Sequence, residues 1–280
     1  SFTNNSKLSY YRNPYYMTGF GQFPITNISV YYNAEDVGYF GFSYDNQSWG
    51  EIVMTTPQEP YGTVKHDIYE RSFSLGFSRK ICEELNAGIS LRYPYMNWYN
   101  DAPNGVYLSL GVLYQPQLLE NRLTLGFAIM NLGPAIEYKE TTGSETRSFY
   151  DPPPTRLNIG LNFQTTENDY FSLPINLSIS KPFDERDGDR QGQSSFKTLF
   201  TDWKDFPNDA SLHTGISFIW KPLNLGKNFS FIQEMFAGNF SDGIKTELQN
   251  YYTLGANVGI EYFPYRFTIG YAGVVHNVHY

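Results

Sequence analysis

The sequence predicts an all-β protein, an antiparallel up-and-down transmembrane β-barrel of about 14 strands in the complete protein, with about 13 readable here. Three observations carry this reading. The segments alternate apolar with polar residues, as strands do. Their links alternate between short and long. The polar face of the segments is nearly free of charge.

Short links fall at Asn33–Gly38, Ile81–Glu84, Pro116–Glu120, Thr166–Asp169, Pro222–Lys227 and Pro264–Tyr265. Longer ones fall at Met54–His66, Pro94–Asn104, Lys139–Pro154, Phe183–Ala210 and Asn239–Asn250. Short turns at one end and long loops at the other match the organisation of outer-membrane barrels.

The first segment, Lys7–Tyr16, precedes a series that starts at Ile25. In the series, Phe73, Leu75 and Phe77 oppose Ser72, Ser74, Gly76 and Ser78. Ala87, Ile89, Leu91 and Tyr93 oppose Gly88, Ser90 and Arg92. Leu123, Leu125, Phe127 and Ile129 oppose Thr124, Gly126 and Ala128. Leu157, Ile159, Leu161 and Phe163 oppose Asn158, Gly160 and Asn162, and Ile175, Leu177 and Ile179 oppose Asn176, Ser178 and Ser180. Near the end, Tyr252, Leu254, Ala256, Val258, Ile260 and Tyr262 oppose Thr253, Gly255, Asn257, Gly259 and Glu261.

A soluble sheet also alternates, but its solvent face is usually rich in Lys, Glu, Asp and Arg. Here that face is mostly Gly, Ser, Asn and Thr, with few charges such as Arg92, Glu234 and Glu261. Small polar residues suit a lumen and large apolar ones suit lipid. Aromatics gather at segment ends, including Tyr93, Trp98, Tyr99, Tyr107, Tyr114, Tyr138, Trp220, Tyr251, Tyr252, Tyr262 and Tyr265. Tyr and Trp favour the headgroup level, where a ring and a polar tip are both satisfied. The alternative is a Tyr-rich soluble β-protein.

Composition agrees. The 280 residues include 24 Tyr and 22 Phe, and no linker divides the chain, so residues 1–280 read as one domain. A mean hydropathy of −0.43 does not argue against a barrel, whose strands need only about 9–11 residues, half of them apolar. No apolar run is long enough for a transmembrane helix. A net charge of −8 without a basic stripe excludes nucleic-acid binding from the expected functions. The lone Cys82 excludes an intrachain disulfide framework.

Ser1 does not open a signal peptide, so the sequence reads as mature or as starting inside a longer protein. With short turns in the periplasm, the last segment, Arg266–Tyr280, runs outward. Even strand number then predicts a closing strand beyond Tyr280, in preference to Tyr280 as the terminal aromatic. The domain is expected to be incomplete at its ends.

Enzyme motifs are absent: there is no GxSxG, HExxH or phosphate-loop pattern. No catalytic residue, cofactor or metal is expected. His276 and His279 would face opposite sides of a strand, and the acidic run Asp184–Asp189 reads as a solvated loop. The long link Phe183–Ala210 differs from the rest. Phe196, Leu199, Phe200, Trp203 and Phe206 recur at helical spacing. That stripe either packs on the barrel rim or offers an aromatic surface to a protein partner. Phe149 and Tyr150, in the link before it, join these five as candidate partner-binding residues.

At Asn131-Leu132-Gly133-Pro134, Pro134 cannot donate to a ladder and Gly133 tolerates positive φ. The strand is expected to bend or bulge there, with pairing resuming at Ile136–Tyr138.

These segments resemble the PorV/PorQ family of outer-membrane barrels. The resemblance rests on Gly41-Phe42-Ser43, Trp49-Gly50-Glu51-Ile52, Tyr69–Ser78 and Leu110–Tyr114. It is strongest at Leu125–Pro134 with Ile136-Glu137-Tyr138, then at Pro154–Leu161, Gly259–Tyr262 and Thr268–Tyr271. It implies a FadL-like barrel in the bacterial outer membrane, surrounded by lipid. It also implies a non-enzymatic role in type IX secretion, with the translocon and cargo C-terminal signal domains as partners bound through extracellular loops. A FadL-like channel for hydrophobic small molecules and a soluble β-rich surface protein are the alternatives.

Overall fold

The computed structural model describes residues 7–17, 21–54, 62, 64–97, 102–117, 120, 122–142, 145–168, 170–183, 186–187, 191–192, 195–203, 209–224, 229–242, 249–262 and 265–276. The described residues are mostly strand. The first seven strands are β1 (Lys7–Met17), β2 (Gly21–Ala34), β3 (Gly38–Met54), β4 (Val64–Lys80), β5 (Leu85–Asn97), β6 (Tyr107–Tyr114) and β7 (Leu123–Leu132). A hairpin follows, made of β8 (Ile136–Thr142) and β9 (Glu145–Asp151). Next come β10 (Thr155–Glu167) and β11 (Phe171–Phe183), then β12 (Arg186–Asp187), β13 (Gln191–Gly192) and the helix α1 (Ser195–Thr201). The chain continues through β14 (Ser211–Asn224), β15 (Phe229–Asp242), β16 (Gln249–Tyr262) and β17 (Tyr265–His276).

Thirteen strands form one sheet, in the order β1-β2-β3-β4-β5-β6-β7-β10-β11-β14-β15-β16-β17. Every neighbouring pair in it is antiparallel. Among the described residues, β1 and β17 do not pair with each other, so closure is not seen. The expected links reappear between β3 and β4, β5 and β6, β7 and β10, β11 and β14, and β15 and β16, all at one end. The alternation of link lengths does not extend upstream of Ile25: β1 ends at Met17 and β2 starts at Gly21, its pairing partner, so a short link stands at the long-loop end.

Side chains on the two faces differ as period two dictates. On one phase, Val30, Phe42, Phe73, Leu75, Leu91, Leu125, Phe127, Ile159, Ile216, Leu254 and Val258 are all exposed, Leu75 by 63% and Leu254 by 60%. On the other phase, Ser29, Asn33, Ser72, Ser172, Ser180 and Ser211 are buried. Tyr31, Tyr39 and Leu113, near the short-turn end, are exposed members of this second phase. The polar face is knit across strands: Asn27 Nδ2 donates to Asp45 Oδ1 at 2.7 Å and Ser72 Oγ to Asp45 Oδ2 at 3.1 Å. Asn162 Nδ2 donates to Asn176 Oδ1 at 2.6 Å and Asn257 Nδ2 to Glu234 Oε2 at 3.0 Å. The sheet is therefore inside out relative to a soluble one, with large apolar side chains exposed on one face and buried serines on the other.

The bend expected at Asn131–Pro134 is present, but the left-handed residue is Asn131, with φ of 57°, and not Gly133; the register between β6 and β7 shifts between Leu108 and Leu110. Pairing resumes at Ile136, but not beside the strand it left. β8 belongs to a second sheet of order β12-β13-β9-β8, in which β13 meets β9 in parallel at Gln191 and Tyr150. The two longest links are thus folded into a cap. The bend is tied down: Asn131 N donates to Ser109 Oγ (3.0 Å), Asn131 Nδ2 to the Pro154 carbonyl (3.0 Å), and Thr155 Oγ1 to the Asn131 carbonyl (2.9 Å).

Candidate interaction surface at the loop end

The least exposed large side chains lie where the cap meets the sheet: Tyr107, Pro153, Thr155, Lys181, Phe183 and Thr198. They fall on two sides of the sheet. Tyr107 alternates with the polar phase of β6, and a Cβ on Gly133 would lie 2.5 Å from its ring. A Cβ on Gly105 would meet both Ile136 and Tyr107, and Tyr138 Oη lies 3.4 Å from Met96 Sδ on the polar phase of β5. The β8–β9 hairpin therefore packs on the polar side.

The other group sits on the apolar phase. Lys181 and Phe183 continue the alternation of Ile175, Leu177 and Ile179 along β11, and Thr155 and Leu157 face them from β10. A lysine on this phase is the anomaly of the strand. Its ammonium lies 3.0 Å from Asp209 Oδ2 and 3.5 Å from Asp202 Oδ2, and its side chain is 1% exposed. Both carboxylates come from the segment that carries α1. The helix contacts β11 and β7, buries Thr198 completely, and is prolonged by Asp202 N donating to the Thr198 carbonyl at 2.9 Å. Thr198 and Asp202, one turn apart, form the side turned to the sheet.

This orientation leaves the aromatic stripe outward. Phe196 is 57% exposed and Phe200 84%, while Trp203 is exposed and Leu199 half-buried. The Trp203 ring meets Phe183 edge-on at 5.3 Å, and its Nε1 donates to the Leu199 carbonyl at 2.6 Å, satisfying one of the helix's last carbonyls. Phe206 lies outside the described residues. Phe149 is half-buried in β9 opposite Tyr138, and the exposed Tyr150 pairs with Gln191. The described candidates thus divide between β9 and the segment of α1 with the turn that follows it. Sequence reasoning missed Lys181, Asp202 and Asp209. The signal was available: a single lysine in an otherwise apolar phase.

Asp187, from the acidic run, is in β12, and the rest of that run other than Arg186 lies outside the described residues. Comparison of the chain with family models and with curated proteins finds no match.

Proposed function

We propose that this chain is a transmembrane β-barrel, its exposed apolar face set in lipid and its polar face lining a lumen. The single observation that carries this reading is the inside-out sheet. An apolar surface running along strand after strand, with buried serines on the reverse, is the arrangement a bilayer stabilises and water does not. Open strand edges cannot stand in hydrocarbon, because each unpaired backbone group costs several kcal/mol. The proposed barrel therefore leaves neither β1 nor β17 with an unpaired edge in the bilayer.

More particularly, we propose an outer-membrane protein like those of the PorV/PorQ family, without enzymatic activity and serving type IX secretion. The short turns lie in the periplasm and the cap faces outside. The cap then meets the translocon and the C-terminal signal domains of cargo, with Phe149 and Tyr150 on the β8–β9 hairpin as contact residues. Support comes from the cap's construction: two long links fold into a second sheet instead of remaining as separate loops.

The test is capture of cargo signal domains by the whole protein in detergent, compared with a variant in which residues 139–152 are replaced by a short turn. Loss of capture is expected. Undiminished capture contradicts the assignment of this hairpin.

A further inference from the structure

We infer that α1 is a membrane-interface anchor, whose row Phe196, Phe200 and Trp203 contacts the lipid surface around the barrel. This rests on the barrel reading above.

Strand phase puts Lys181 and Phe183 on the same face as the exposed Leu177. Four residues of strand separate Leu177 from Lys181, a rise of about 13 Å at strand spacing. The helix segment is fastened to that face by the Lys181 ion pairs and by the edge contact of Trp203 with Phe183. The buried Thr198 and the half-buried Asp202 are turned to the strands, so the aromatic side is turned away from them. The direction away from the apolar face of an inserted barrel leads to lipid, not to the lumen or the mouth. The exposed row also continues the apolar surface already assigned to the bilayer.

The composition of the row fits the headgroup boundary. Two Phe rings, an indole and the exposed Lys197 between them make a short amphipathic element of the kind that lies in an interface. The same arrangement explains Lys181. Bare on the lipid-facing phase, it would be costly; beneath α1, with two carboxylates, it is shielded and paired.

The four tryptophans supply the test. Two full-length variants are folded into phosphatidylcholine vesicles: W49F/W98F/W220F, which keeps Trp203, and W49F/W98F/W203F, which keeps Trp220. Trp220 is exposed on the apolar phase of β14, near the short-turn end. Lipids brominated near the headgroup or at the chain ends quench each in turn. Loss of Trp203 emission is expected with both lipids, and more with the shallow bromines. Quenching of Trp220 without quenching of Trp203 overturns the anchor and leaves the barrel standing, with α1 then free for a protein partner. Quenching of neither overturns the barrel reading itself.

Discussion

Lys181 Nζ lies 3.0 Å from Asp209 Oδ2 on a strand phase that otherwise carries Ile175, Leu177, Ile179 and Phe183. Two ion pairs thus fix the α1 segment to the outer side of the sheet. The two partners are not equivalent. The lysine side chain is 1% exposed and that of Asp209 41%, so loss of the carboxylates strands a buried cation, while loss of the lysine leaves carboxylates that water can reach.

The consequence is an order of effects. Asp202→Asn with Asp209→Asn should destabilise the α1 segment strongly, by about 3–5 kcal/mol as for a broken buried pair. Lys181→Met, which keeps the stem and removes the charge, should cost much less. Proteolysis of the 183–211 link, followed in refolded protein, measures both. Equal susceptibility of the two variants would contradict this account.

Gly133 should not tolerate a methyl group. A Cβ there would lie 2.5 Å from Tyr107 Cδ1 and 2.6 Å from the Val106 carbonyl oxygen. Gly133→Ala should lower stability by about 1–3 kcal/mol, as overpacking does. Gly111→Ala, where the nearest atoms stand at 3.7 Å, should be nearly neutral. Urea midpoints of the two variants provide the comparison.

Asn131 combines a left-handed backbone with three hydrogen bonds beneath the cap. Asn131→Gly keeps the backbone and loses the bond to Pro154. Asn131→Ala loses that bond and adds left-handed strain of about 1–2 kcal/mol. The alanine variant should therefore unfold at lower urea than the glycine variant, and the reverse order would argue against strain at this bend.

The strands and the all-β, antiparallel class were legible in the sequence, because period-two alternation is local. Leu123–Ile129 and Ile175–Ile179 can be read without knowing their neighbours. The helix was legible as a stripe, but which side of it packs was not. Spacing puts Phe196 and Phe200 together; only the distant Lys181, which draws in Asp202 and Asp209, turns them outward. The second sheet was hidden for a related reason. Tyr150 and Gln191 are brought together by the return of two separate links, and no periodicity records such a pairing. At Ile136 the expected return to pairing was read, but not the change of sheet, since Gly133 and Pro134 mark a break without giving its direction.

A charge placed on either face should distinguish them. Leu91→Arg should weaken the protein folded in vesicles by roughly 2–4 kcal/mol if the site is near mid-depth. Ser90→Arg, on the polar phase of the same strand, should be tolerated. Urea unfolding from vesicles gives the two costs.

The most direct measurement is the accessibility of spin labels along β4 and β5. With Cys82, which is free and exposed, replaced by serine, single cysteines at Ser74, Leu75, Ser90 and Leu91 are labelled in the vesicle-bound protein. Collisions with oxygen and with a water-soluble nickel complex are then compared. Leu75 and Leu91 should favour oxygen and exclude nickel, and Ser74 and Ser90 should show the opposite bias. Nickel access at Leu75 and Leu91 equal to that at Ser74 and Ser90 would contradict a lipid-facing apolar surface.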